Sequence, residues 1–504
     1  MMKWINASLK AYMNSRLPHI EFFRSNPIET QQRVFKQLIH SGKHTTWGKN
    51  YKYASILNYQ QYAEQVPLQT YEQLYPLLEQ VLRGEKDVLW PGKVKWFSKS
   101  SGTTNDKSKY IPVTNLSLEE THYRGGKDLI ACYFQNVENS QLFSGKSLAI
   151  GGSYSTSLYR NDSYIGDVSA VIMANLPSWA QFSRTPSIQD ATLADWETKL
   201  NVFAEKTRKA NVTNLAGVPT WTVLLMEKMM RDNQANHMLE IWPSFEAFFH
   251  GGVSFTPYRP LFQKFFPSNS VRYVESYNAS EGYFGIQDDL SKSEFLLLTD
   301  HGIFYEFIPI EEAEYEHPTI LTLEQVQVGQ VYSLVISSNA GLWRYKIGDT
   351  IEFTSIYPFK YKIAGRTKHF INAFGEELMV ENADIAVAEA CLATGAAIKD
   401  YTAAPIYLSQ EGKGGHEWLM EFVQLPNDMD VFIQTLDTTL QRVNSDYEAK
   451  RQKGLALVLP IVHAVPANTF YSWLASKGKL GGQHKVPRLS NDRTIMEEIK
   501  KLTQ

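Results

Sequence analysis

From Trp96 to about residue 290, short strand-like runs alternate with amphipathic helical stretches, and this alternation constrains the fold more than any other feature. Leu148–Gly151, Asn214–Val218, Ala247–His250 and Val271–Tyr277 read as strands, and Leu116–Phe134, Asp195–Lys209 and Thr220–Arg231 read as helices. Such a pattern requires α/β layers and excludes a helical bundle or a β-sandwich. Upstream, residues 1–90 look helical and aromatic. Downstream, residues 295–365 are strand-rich (FLLLT, GIFYEFIPI, VYSLVIS, DTIEFTSI) and predict a β-subdomain. A charged turn then leads into a helix near Val380–Thr394, strands near Ala403–Leu408 and Trp418–Val423, and a helix near Val431–Val443. At 504 residues the chain exceeds what one core normally serves. The expected architecture is an α/β protein with a large multi-layer N-terminal domain, residues 1–366, and a small mobile α+β C-terminal domain, residues 367–504.

Composition narrows the function. With 50 basic and 53 acidic residues, the net charge of -3 provides no chain-wide attraction to nucleic acid or an anionic membrane, so a local site must carry the activity. Two distant cysteines, Cys132 and Cys391, form neither a metal-ligand spacing nor a disulfide framework, which fits a reducing, cytoplasmic setting. The N-terminal stretch has Trp4, Ile5, Leu9, Tyr12 and Met13 at helical spacing with Lys3, Lys10 and Arg16 between them. It reads as an amphipathic helix packed on the domain, and it lacks the apolar core of a signal peptide. No run approaches the length of a membrane span.

Five segments carry candidate chemistry. In SKSSGTTNDKSKYIPVT, Ser100, Ser101, Thr103 and Thr104 surround Gly102, with Lys107 and Lys109 downstream. Small residues let the backbone curl around an anion, hydroxyls add donors and lysine adds charge, so this is a phosphate loop or a polar surface turn. The second constellation is FFHGG with VRYVESYNASEGYFG: strand ends are where α/β sheets bind ligands, Tyr277 could stack on a base, and Glu281 could hold Mg²⁺. Its plainer reading is a capping box in which Ser280–Glu281 starts a helix. In LWRYKIGDT, Asp349 follows a glycine turn at a strand end, where it could accept ribose hydroxyls or simply cap a hairpin. The fourth segment is AGRTKHFINAFGEELMVEN. The fifth, GGQHKVPR, places Lys485 and Arg488 on a glycine-preceded loop from which a lysine could meet phosphate charge. His250-Gly-Gly looks like an oxyanion loop, but no G-x-S-x-G elbow accompanies it, so hydrolase chemistry is discounted.

Together and in this order, the segments resemble the adenylate-forming superfamily, and within it the Gretchen Hagen (auxin-responsive promoter) family of acyl acid amido synthetases. The likeness rests on SSGTTNDKSK, HGG, YNASEGYFG, WRYKIGD, GRTKHFINAFGEEL and the terminal Q-x-K-x-P-R, and it spans nearly the whole chain. It implies ATP-dependent activation of a carboxylic acid as acyl-AMP, then transfer to an amino acid amine, with ATP and Mg²⁺ required. Ser100, Ser101, Thr103, Thr104 and Lys109 would hold phosphates. Gly251, Gly252, Tyr277, Ala279 and Ser280 would frame adenine and acyl phosphate, and Glu281 would bind Mg²⁺. Asp349 and Arg366 would hold ribose, Lys368 would sit at the hinge, and Lys485 would approach the α-phosphate. The acid is expected between Tyr123, Arg124, the strand leading to Val218, and the Gly251 turn, with Arg124 available to a second acidic group. Asn105 and Asp106 depart from the small residues expected after the threonine pair. An acyl-CoA ligase and a non-catalytic ATP-binding protein are the alternative readings.

Overall fold

The computed structural model describes residues 2–100, 109–253, 255, 258–366, 370–407, 413–452, 456–477 and 486–503. Its centre is a ten-stranded sheet, with strands numbered along the chain as β1 (Lys146–Ile150), β2 (Val212–Gly217), β3 (Ala247–His250), β4 (Arg272–Ala279), β5 (Gly282–Ile286), β6 (Phe295–Leu297), β7 (Ile303–Pro309), β8 (Val331–Ser338), β9 (Tyr345–Ile356) and β10 (Phe359–Arg366). The spatial order is β7-β8-β9-β10-β6-β5-β4-β3-β2-β1. Strands β1 to β4 run parallel, joined through helices such as Trp196–Thr207 and Pro219–Asn233. From β4 onward every neighbouring pair is antiparallel. Pairing therefore changes from parallel to antiparallel at one strand, β4. The parallel half has helices on both faces, the arrangement that crossover connections impose.

On one face of the parallel half, the helix Arg124–Asn136 packs with the N-terminal helix Met2–Asn14, and Leu129, Cys132 and Phe134 meet Ala247, Phe249 and Val274. The expected helix over Leu116–Phe134 is present but not regular. A short turn, Asn115–Ser117, runs into a π-helical segment, Leu118–Tyr123, before α geometry resumes at Arg124. The opposite face carries the larger core, in which Trp196, Trp221, Phe248 and Phe262 share one apolar cluster with Phe374, Trp418 and Leu440 from beyond residue 366. That C-terminal region has a three-stranded sheet, Ala397–Ile406, Gly415–Gln424 and Ile461–Val465, flanked by helices that include Val380–Thr394 and Met429–Val443.

A third cluster joins the helices of residues 27–83 to the antiparallel half. At its heart lies a buried ion pair: Arg344 donates to Glu306 at 2.8 Å, both side chains essentially inaccessible. Arg344 also donates to the carbonyls of Ala63 (2.9 Å) and Val66 (2.6 Å), and Tyr59 donates to Glu306 at 2.8 Å. A buried pair with its remaining donors and acceptors met is tolerable, whereas removing one partner strands a charge in the interior. Glu306→Gln is thus expected to lower the unfolding free energy by about 3–5 kcal/mol, read from urea midpoints, with the Glu306→Leu/Arg344→Met double variant less destabilised than either single change.

Candidate active site

The parallel strands β1, β2 and β3 all end at Gly- or His-Gly turns, and these turns open on one cavity of about 1490 Å³. Ligand pockets are commonly about 300–1,000 Å³, so this one has room for more than a single small molecule. Gly251 is at its wall for a packing reason: a Cβ there would lie 2.3 Å from the Ser276 carbonyl oxygen of β4. Gly252 has φ +82°, the left-handed region that a side chain disfavours.

The β4–β5 connection delivers the central acidic group. Ala279 pairs with Gly282, so Ser280 and Glu281 form a two-residue hairpin turn, not the start of a helix, and the capping-box reading is set aside. Buried in the mouth of the cavity, the Glu281 carboxyl is pushed up to about 7. Loss of hydration dominates, the nearby charges of Asp349 and Glu377 add to it, and Lys109 acts against it. Residues from four of the five segments therefore meet electrostatically around Glu281.

Asp349 also departs from expectation. It is not at a strand end but inside β9, just after Gly348, whose φ is +93°, and beside a bulge at Thr350–Ile351. The bulge turns the acid toward the cavity, where the Tyr277 hydroxyl donates to its Oδ2. The buried Tyr277 ring packs on Phe284 with centroids 4.9 Å apart. Directly opposite Asp349 in the β9–β10 ladder is Arg366, whose side chain lies outside the described residues.

Ser100 and Lys109 are paired ends of two antiparallel strands, Trp96–Ser100 and Lys109–Val113, so the Ser/Thr segment connects the arms of a hairpin. The Lys109 Nζ lies 5.7 Å from the centre of the Tyr71 ring. Ser101, Thr103, Thr104, Lys368 and Lys485 fall outside the described residues. The Arg488 end of the fifth segment is fixed within the C-terminal region by an ion pair to Asp384.

The expected acid-binding residues all line the cavity. Tyr123 donates to the Ile172 carbonyl at 3.3 Å, and Val218 caps the helix Pro219–Asn233. Arg124 is already engaged: it donates to the Asp300 carbonyl at 2.8 Å and pairs with Glu120 at 3.3 Å. His250 is buried and stacked on Phe255 at 4.1 Å, and burial depresses its pKa to about 3, so it stays neutral.

Several residues in or beside the cavity were not singled out from the sequence. His122, in the π-helical segment, has Nδ1 2.9 Å from the Asn278 side-chain oxygen and is depressed to about 4 by burial. Lys199 donates to the carbonyls of Gly151 (3.0 Å) and Gly152 (2.9 Å), holding the turn after β1, and burial lowers it to about 8. Its signal was present, since it occupies the buried stripe Trp196, Lys199, Leu200, Phe203, a charged residue at an apolar helix position. The neighbouring rings of Trp196 and Trp221 stack at 3.6 Å, and Lys450 from the C-terminal region approaches the outer ring at 5.6 Å. Asn372 donates to the Gly252 carbonyl at 3.0 Å, and Tyr258 donates to the Ala373 carbonyl at 2.6 Å, so the region after residue 366 forms part of the cavity rim.

Among the described residues no cluster of three or more His, Cys, Asp or Glu could hold a metal by itself. Mg²⁺ needs no such cage, because it binds through one or two carboxylates plus phosphate and water oxygens. A buried, raised carboxyl with a second acid nearby fits that requirement.

Comparison with known proteins gives a consistent result. Residues 16–271 match the GH3 family N-terminal domain, 296–366 its central domain and 381–494 its C-terminal domain. The chain is 22% identical to an Arabidopsis thaliana indole-3-acetic acid-amido synthetase (GH3.4), over 95% of this chain and 92% of that one. It is 23% identical to the Arabidopsis thaliana 4-substituted benzoates-glutamate ligase (GH3.12), over 85% and 87%. The solved GH3.15 acyl acid amido synthetase superposes with a TM-score of 0.60 at 17% identity, covering 97% of this chain and 95% of that one. A 2-hydroxyisobutyryl-CoA ligase captured in its thioesterification state gives 0.54 at 13% identity, covering 95% and 94%.

Gly251→Ala is expected to force β3 and β4 apart, lowering stability by about 1–3 kcal/mol in a denaturant titration, as overpacking of a rigid backbone contact does.

Proposed function

The chain belongs to the GH3 family, and from that premise we propose that it is an adenylate-forming acid–amino acid ligase, using ATP to activate a carboxylic acid and an amino acid amine to capture it. The observation that carries this reading is the convergence of the separated segments at the cavity, with Asp349, Glu377 and Lys109 all within electrostatic reach of Glu281.

A carboxylate is a poor electrophile until one oxygen is converted into a leaving group. In the proposed first step a carboxylate oxygen attacks the α-phosphorus of ATP and pyrophosphate departs. In the second, the amine attacks the acyl carbon, AMP departs, and the amine loses its proton. Bound at Glu281, Mg²⁺ would offset phosphate charge. The Tyr277–Asp349 hydrogen bond orients Asp349 toward the ribose position, opposite Arg366. Gly251 and Gly252 let the backbone approach the acyl phosphate without a side chain in the way. Ser100, Ser101, Thr103 and Thr104 would supply donors to the phosphates, and Lys485 a charge developed against the α-phosphate. We place the adenylation domain at residues 1–366 and a mobile domain at 367–504, turning near Lys368. The contacts of Asn372, Ala373 and Lys450 with the first domain would be exchanged during that motion. A cytoplasmic setting is supported by two free thiols, one of them buried.

The structural likeness to a CoA ligase keeps a thiol acceptor as the second reading. Both readings are tested by pyrophosphate release with ATP and Mg²⁺ across aryl, indole and fatty acids, with either the twenty amino acids or coenzyme A. Acid-dependent release raised by amino acids, with an amide product, and lost in Glu281→Ala and Lys485→Ala, is expected. A thioester product would select the second reading, and absence of release with any acid would overturn both.

The raised Glu281 carboxyl adds a pH signature. Cation binding requires the ionised form, so affinity for Mg²⁺-nucleotide rises with pH up to about 7 and then levels. The nucleotide phosphates titrate nearby, at about 6, so the measured quantity is the difference between wild type and Glu281→Gln. The variant is expected to lose the extra slope below pH 7.

A further inference from the structure

Arg184 stands apart from the other arginines that line the cavity. Arg16 is paired with Asp128 at 2.7 Å, and Arg124 is held by Asp300 and Glu120. Arg184 makes no side-chain hydrogen bond or ion pair with any described residue. Burial alone acts on its guanidinium, lowering its pKa without any carboxylate to oppose the shift. Its side chain is only half-buried and lines the cavity, so a guanidinium with no partner among the described residues faces space that an anionic ligand can enter.

Its place in the fold says what that partner reaches across. The segment around Arg184 adds to the outer edge of β1, where the Ser147 amide donates to the Ser183 carbonyl at 2.8 Å and the Thr185 amide to the Ser147 carbonyl at 3.0 Å. Through β1, β2 and β3, Ser147 is level with Asn214 and Ala247, four positions before Gly251. Arg184 therefore sits about 13 Å along the strands and about 14 Å across them from the Gly251 turn, at about 3.3 Å per residue and 4.8 Å per strand. Between the two ends the cavity wall is largely apolar, with Leu9 and Met13 of the N-terminal helix, Ile130, Ala149 and Ala216.

Resting on the ligase reading above, we propose that the acid activated here is elongated and carries a second anionic group at its far end, and that Arg184 is the side chain that receives it. The carboxylate to be activated lies at the Gly251–Glu281 end, an apolar middle runs along the sheet, and the distal anion meets the guanidinium. Allowing for the reach of the arginine side chain, the span suits α,ω-dicarboxylates of roughly eight to twelve carbons. Arg124, fastened to its own helix and to Asp300, is not the receptor.

The test uses the full-length protein and linear α,ω-dicarboxylates of that length beside their methyl monoesters. Binding is measured by calorimetry and turnover by pyrophosphate release. Wild type is expected to prefer the diacid over the monoester by about 10- to 100-fold, the range of a hydrogen bond to a charged group. In Arg184→Met the ratio falls toward one, while the unliganded variant melts no lower than wild type, because no hydrogen bond or ion pair to a described residue is lost. Equal binding of diacid and monoester by wild type, an unchanged ratio in the variant, or no binding of any dicarboxylate overturns the proposal. Pyrophosphate release from neutral-tailed acids alone overturns the role of Arg184 and leaves the ligase reading standing. Discrimination in binding without pyrophosphate release from any acid overturns the ligase reading and leaves Arg184 as an anion receptor.

Discussion

One strand carries two kinds of neighbour, and the site depends on that. β4 pairs in parallel with β3 and in antiparallel with β5, so the sheet passes from parallel to antiparallel pairing along a single line. Because the antiparallel partner returns through a two-residue turn, Ser280 and Glu281 are held at the end of the sheet where β1 to β3 also finish. A helical crossover at that point would have carried the acid away over one face. The Gly251–Ser276 approach on one side and the Tyr277–Asp349 hydrogen bond on the other fix β4 against both halves.

This placement concentrates charge. Glu281, Asp349 and Glu377 lie near each other at a buried mouth, opposed among the described groups by Lys109. Burial first, and the neighbouring acids second, raise the Glu281 carboxyl, and the histidines lining the pocket, His122 and His250, are held neutral by burial. Lys199 is spent on the carbonyls of Gly151 and Gly152, so its role is to hold a turn.

Most of the fold was legible because periodicity reports burial, and burial follows the layers. The helix Val380–Thr394 lies where its pattern placed it, and β1 to β4 overlap the expected runs within a few residues. The misreadings occurred where the backbone leaves regular geometry. Ser280–Glu281 has the composition of a capping box, but strand pairing on both sides overrode that local preference. Gly348–Asp349 looks like a turn, yet inside a paired strand the same dipeptide makes a bulge. Arg184 carried no local signal at all. Its meaning comes from an edge bridge to Ser147, 37 positions away in sequence, and from its lack of a partner among the described residues.

The π-helical segment Leu118–Tyr123 sets the bearing of everything on the helix that follows it. It holds one residue more per turn's worth of hydrogen bonding than α geometry would, and it sits between the hairpin strand Lys109–Val113 and the cavity wall. Losing a single residue there would restore a regular helix with little change in the bearing of its two flanks, because the residue removed is the one the wider turn absorbs. The side chains inside the segment, His122 and Tyr123 among them, would shift around the axis, while Arg124 and the helix after it would keep their bearing.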